Sequence, residues 1–254
     1  LARAVHLQIV DTRFYQDQGE KRFVQRQPLP ASRGRILDRN GLVLATSVAL
    51  PTVQVDAKTF AADSAQRKAL SRTLGLAPGE LEDRLEGAGG TVVLRRLVEE
   101  AAWQQAKALG IKGLMEVREY KRRYPEGEAS AHVVGFTDID GKGIEGIELG
   151  FQGQLVGQSG SRTVLRDRLG RVVEDVGDQA DPVNGRDIAL AIDSKVQFFA
   201  YQRIRDAVKE HRAQAGSVVV VDSQTGEVLA LANYPSFDPA ERVRNKEAVR
   251  NRAL

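Results

Sequence analysis

The feature that most constrains this chain is a change of texture at Asp181-Pro182-Val183-Asn184-Gly185, a dense run of turn formers. Beyond it, Ile188–Ile192 is an unbroken apolar stretch, and Asp193 or Ser194 stands where a helix would be capped. Lys195–Arg212 then places Val196, Phe199, Ala200, Ile204, Ala207 and Val208 on one helical face. Gly216–Asp222 and Glu227–Asn233 come next as two strands of a hairpin expected to be buried on both faces, since Val218 to Val221 has no polar break. A strand, a long helix and a hairpin open an α/β layer, and about seventy residues is thin for an independent core of that type.

Ahead of the linker the pattern is shorter-ranged. Leu1, Val5, Ile9 and Val10 suggest a helix over Ala2–Phe14, and Pro28 and Pro30 impose an extended approach. Asn40-Gly41 predicts a hairpin between strands Gly34–Leu37 and Leu42–Ser47, with Thr52–Asp56 as a further strand. Helices are expected over Ala62–Leu74, Gly79–Leu85 and Val98–Leu109, the first and last closed by Gly75 and Gly110. Thr91–Leu94 and Leu114–Tyr124 alternate as strands do. Gly135 to Gly157 is rich in glycine without the strand–GxGxxG–helix order of a nucleotide site, which favours short helices joined by tight turns. Arg162–Arg166 and Arg171–Val176 form a hairpin about Arg168-Leu169-Gly170.

Composition removes whole classes of chemistry. There is no cysteine, hence no disulfide, thiolate nucleophile or Cys-based zinc site, and His6, His132 and His211 are too scattered to suggest a metal site. The net charge of +3 is too even for a nucleic-acid binder. No apolar run exceeds five residues, so no span of a membrane is encoded here. Residues 21–40 carry six basic groups against Asp38 alone. Arg33, Asp38 and Arg39 near one turn suggest a charge-assisted structural network. The carboxylate pairs Glu145/Glu148 and Glu99/Glu100 read most simply as surface helix positions. No Gly-x-Ser-x-Gly, Walker or His-Glu-x-x-His motif occurs.

Seven segments in order nevertheless resemble one family. They are Arg33–Gly41, Arg123-Tyr124-Pro125 with Ala131–Phe136, Gly143–Leu149, Gly160–Thr163 through Asp167–Asp175, Ala191–Gln197, Gly216–Asp222 and Thr225–Asn233. Together they resemble the class B penicillin-binding proteins, in their division-specific peptidoglycan D,D-transpeptidase branch. The resemblance implies an α+β chain: a juxtamembrane helix and extended segment over 1–30, an elongated, mixed, non-catalytic pedestal of the dimerisation type over 31–181, and the first strand, helix and hairpin of a transpeptidase domain over 184–254. It implies serine acyl transfer on peptidoglycan stem peptides ending in D-Ala–D-Ala, inhibition by β-lactams, no cofactor, and a site on the periplasmic face of the bacterial inner membrane with the anchor outside this chain. The family needs Ser-x-x-Lys, Ser-x-Asn and Lys-Thr/Ser-Gly together. None of them occurs here. The run matching Arg250-Asn251-Arg252 precedes the nucleophile in the family, so Ser-x-x-Lys is expected just after Leu254 and this chain alone is expected to be inactive. The resemblance further implies contacts with an FtsW-type glycan polymerase and other division proteins. Lys21, Arg22, Arg26 and Arg35, and the arm Glu116–Arg123, are candidate surfaces for them, and the alternative function is that of an interaction module. Arg33, Asp38 and Arg39 are expected to tie the first hairpin to its neighbours, with Glu145 or Glu148 as acceptors.

Overall fold

In the computed structural model of the protein, residues 24–166, 172–175, 179–241 and 245–253 are described. The expected helix Ala2–Phe14, Lys21, Arg22 and the turn Arg168-Leu169-Gly170 lie outside them. The contacts define two compact units that do not follow chain order: Leu1–Pro30 with Leu50–Glu119 and Ser159–Pro182, and Ala31–Ala49 with Tyr120–Gln158 and Val183–Leu254. Asp181–Gly185 does contain a unit boundary, but residues 31–49 and 120–158 group with the residues on its C-terminal side.

In the first unit, β1 (Val24–Leu29), which contains Arg26, pairs antiparallel with β6 (Gly160–Arg166), and β6 pairs with β7 (Val172–Asp175) as the expected hairpin. The stretches read as two strands are a single strand, β3 (Val43–Asp56), whose residues from Leu50 onward lie in this unit. Pro51 cannot donate to a ladder, but its carbonyl accepts from the Val98 N–H at 2.7 Å, so the strand runs through it. β4 (Thr91–Arg95) pairs antiparallel with β3, which also pairs with β5 (Leu114–Arg123).

Three helices cover this sheet. In α1 (Ser64–Leu74), Asp63 accepts from the Gln66 N–H while the Gln66 side chain accepts from the Asp63 N–H, a reciprocal cap, and Gly75 closes the helix in the left-handed region. With α2 (Glu80–Leu85) and α3 (Glu100–Ala108) it encloses an apolar core of Val53, Val55, Leu70, Leu81, Leu94 and Trp103.

In the second unit, β2 (Ile36–Leu37) pairs antiparallel with the start of β3 through the Asn40–Gly41 turn, and parallel with β8 (Ile188–Ala189). β8 is shorter than the apolar run suggested. Beyond Ala189 only separate bonds continue, from Leu190 N–H to Leu37 O and from Arg39 N–H to Ile192 O. The glycine-rich stretch gives the short helices α4 (Ala131–Val134), α5 (Gly146–Gly150) and α6 (Gln152–Leu155). They surround Ile36, Leu44, Ala45, Tyr124, Val134 and Leu155. At Gly135, with φ of +76°, and at Gly143, any Cβ would run into the backbone carbonyls of Glu145 and Glu148, so both positions require glycine.

The long helix α7 (Ser194–Glu210) is capped by Asp193, which accepts from the Lys195 and Val196 N–H groups. It packs on the antiparallel pair β9 (Gly216–Val221) and β10 (Val228–Tyr234) through Ala200, Tyr201, Ala230 and Ala232. Two expectations fail here. Phe199 points outward, 56% exposed, while Gln197 is buried. The Gln197 amide accepts from Leu231 N–H and donates to the Leu231 and Ala129 carbonyls, so it occupies an inward position the apolar pattern assigned elsewhere. The hairpin is also not buried on both faces: β9 alternates, and Val219 and Val221 remain about half exposed. A short helix, α8 (Lys246–Val249), lies near the end of the chain, capped by Asn245.

Candidate functional site

The most heavily built polar site in the second unit centres on Glu148, which is fully buried on α5. The surface reading of this carboxylate is therefore wrong. Arg33 Nε donates to Glu148 Oε2 at 2.6 Å and Arg122 Nε donates to Glu148 Oε1 at 2.7 Å. Arg33 continues to the Glu148 carbonyl (2.7 Å), Gln152 Oε1 (2.7 Å) and the Gly141 carbonyl (3.2 Å). Arg122 reaches Ser47 Oγ at 3.0 Å. Such an ion cluster holds only when the desolvated charges are paired, and Glu148 meets both guanidinium groups here, although Arg122 Nη2 is buried without a hydrogen-bond partner.

Beside it, burial and the Glu148 charge push the Tyr124 phenol up to about 12, and its oxygen accepts from the Thr137 N–H at 3.0 Å. A carboxylate clamped by two guanidinium groups with no exposed oxygen cannot collect a proton from a substrate. The cluster fixes structure.

The expected network divides into separate parts. Arg33 and Glu148 meet, but Asp38 bonds to neither Arg33 nor Arg39. Its carboxylate accepts from the N–H groups of Asn40 (2.8 Å), Leu42 (2.8 Å) and Ser194 (3.1 Å), clamping the turn and tying it to the start of α7. Burial pushes the Asp38 carboxyl up, but those donors together outweigh it and hold it below the usual range. Arg39 lies on the surface, 3.4 Å from Glu227. Glu145 joins neither group: its backbone carbonyl packs on Gly135 and the residue lines a cleft. The backbone is responsible for this split. Asp38 sits one residue before the turn, where free N–H groups converge, and those donors engage both of its oxygens. Arg35 forks onto Asp187 at 3.0 and 2.6 Å on the surface.

In the first unit Glu119 is the analogous hub, at lower burial. Thr52 Oγ1 donates to it at 2.5 Å and Arg96 Nε at 2.9 Å. Glu100 pairs with Arg118 in solvent, as its surface reading required.

A cleft of about 700 Å³ opens between α4, the 145–147 turn, residues 190–192, β10 and the α8 segment. Its walls are largely apolar, including Ile147, Leu231, Phe237 and Val249, with His132, Glu145 and Asn251 as the polar groups. Burial lowers the His132 pKa, which favours the neutral ring. Sequence reading missed Arg122, Gln197 and Asn233. The first lies in the basic run Lys121-Arg122-Arg123 of β5, within the arm read as a partner surface, yet it is buried, and nothing local marks the other two as buried.

Residues 28–190 match the Penicillin-binding Protein dimerisation domain and residues 216–254 the Penicillin binding protein transpeptidase domain. The chain belongs to the penicillin-binding proteins, in their class B branch. It is 42% identical over 261 residues to the probable peptidoglycan D,D-transpeptidase PenA of Neisseria gonorrhoeae, covering all of this chain and 45% of that protein. It is 37% identical over 262 residues to the peptidoglycan D,D-transpeptidase FtsI of Escherichia coli, again over all of this chain and 44% of that one. The chain thus spans less than half the length of these relatives. The crystal structure of a peptidoglycan synthetase from Bifidobacterium adolescentis superposes with a TM-score of 0.59 at 26% identity, over 89% of this chain and 46% of that one.

Proposed function

We propose that this chain is the pedestal and the opening of the transpeptidase domain of a septal peptidoglycan D,D-transpeptidase. The observation that carries the reading is the order of the two matched domains, together with 42% identity to PenA along the whole chain. In that reading a serine hydroxyl beyond Leu254 attacks the carbonyl of the penultimate D-Ala and a lysine of the same Ser-x-x-Lys motif accepts the proton. The terminal D-Ala leaves, and the acyl group passes to the amine of a neighbouring stem peptide. Residues 1–254 contribute no reacting group. The ion cluster at Glu148 and the Asp38 clamp hold the segments on which the catalytic portion is built.

The protein works on the periplasmic face of the inner membrane, in cell division, with an FtsW-type polymerase among its partners. Lys21, Arg22 and Arg26 are the candidate contacts; Arg35 is the weakest of the four because Asp187 already neutralises it. The test is acylation by a fluorescent penicillin. The full-length protein carrying this chain is expected to be labelled and residues 1–254 alone are not. Labelling of the isolated chain, or none of the full-length protein, refutes the reading.

A further inference from the structure

Asn233, the penultimate residue of β10, is 1% exposed, and both polar atoms of its amide are directed at residues 251–252. Oδ1 accepts from the Arg252 N–H at 2.9 Å, and Nδ2 donates to Asn251 Oδ1 at 3.1 Å. Asn251 Oδ1 also accepts from the Ala253 N–H at 3.0 Å. A second tether lies one turn earlier: His132 Nε2 sits 2.9 Å from the Ala248 carbonyl, which fixes that nitrogen as the donor. The ring meets Phe237 edge-on at 5.3 Å, and Ala248 packs with Ala131 and Phe237.

A four-residue helix has no stability of its own, so α8 and its tail are placed by these side chains. Asn is chosen by chemistry. The site presents one N–H and one side-chain oxygen, and the amide of Asn233 offers an acceptor to the first and a donor to the second from two separate atoms. Burying that amide is costly unless both bonds are made.

We propose that Asn233, assisted by His132, is a positioning residue that fixes the backbone at Arg252–Ala253 and through it the approach of the chain to the serine nucleophile of the proposed reaction. This rests on the acyl-transfer reading above. Covalent attack demands reacting atoms held about 3 Å apart and aligned, so a nucleophile displaced by about 1 Å loses roughly a hundredfold in rate.

The experiment uses the full-length protein and compares Asn233→Leu and Asn233→Asp with wild type. The readouts are the rate constant and affinity of acylation by a fluorescent penicillin, amide exchange at Arg252 and Ala253, and thermal melting. Asn233→Leu is expected to slow the acylation step about ten- to a hundredfold with affinity unchanged, and to expose the Arg252 amide to exchange. Asn233→Asp keeps the acceptor for Arg252 and is expected to fall in between; it decides the matter should the leucine variant fail to fold. Wild-type acylation in either variant once Arg252 protection is lost, or protection that survives in Asn233→Leu, overturns the positioning role alone. Absence of acylation in the wild-type protein with Arg252 still protected overturns the acyl-transfer reading, and the positioning role with it.

Discussion

Residues 50–119 close around Val53, Leu70, Leu81, Leu94 and Trp103, whereas residues 31–49 and 120–158 enclose a buried carboxylate, Glu148, in addition to the apolar cluster of Ile36, Leu44, Tyr124, Val134 and Leu155. The two interiors differ in how they respond to damage. An apolar core loses transfer energy and gains a cavity in proportion to what is removed. A buried ion cluster is all or nothing: Glu148 carries two guanidinium groups, and removing it strands both in a low-dielectric interior. The same charge-holding motif at Glu119 is partly solvated, so water can take over there.

The largest expected effect is accordingly Glu148→Ala, which should lower unfolding free energy by about 3–5 kcal/mol in chemical denaturation or abolish folding. A loss within about 1 kcal/mol would mean the cluster is not desolvated as described. The triple change Arg33→Met, Glu148→Leu, Arg122→Met sharpens the point, since a well-packed apolar replacement should recover most of that loss. Next comes Leu70→Ala in the other interior, at about 3 kcal/mol, by the same measurement. A cost near zero would show that α1 is not seated on β3 and β4.

Asp38→Ala should cost about 1–2 kcal/mol, the loss of a carboxylate that satisfies three backbone donors. Its pH dependence has a definite sign. The folded pKa is depressed, so the contribution is complete above the unfolded value of about 3.9 and disappears as pH falls through the folded one. Wild type and variant should therefore converge in acid and separate above about pH 4; a constant offset would rule out the carboxylate as the cause. Asp63→Ala should cost about 1 kcal/mol through the lost cap of α1. Arg118→Ala, which breaks a solvent-exposed pair with Glu100, should leave the melting temperature unchanged.

Legibility depended on distance along the chain. Asp63, Gln66 and Gly75 bound α1 within a dozen residues, and Asp193 caps α7 from the adjacent position, so both helices could be read to within two residues. The Asn40–Gly41 turn was legible for the same reason. The site was half legible: Arg33 and Glu148 were both candidates, but their separation of 115 residues carries no local mark, and Asp38 was assigned arginine partners when backbone donors lay closer. Phe199 and Gln197 exchanged their expected places because the period of a helix says which residues share a face, and says nothing about which polar groups wait opposite it.

By itself the sequence determined the local elements, the absence of Ser-x-x-Lys from these residues, and a family signature spread over most of the chain. Capping, turn chemistry and periodicity act within a few residues, so they are written wherever they operate. Only the tertiary structure decided that Glu148 is buried between Arg33 and Arg122, that Asp38 serves backbone rather than charge, and that Asn233 grips the last residues. Each of those outcomes depends on desolvation, which a side chain acquires from whatever the fold brings over it.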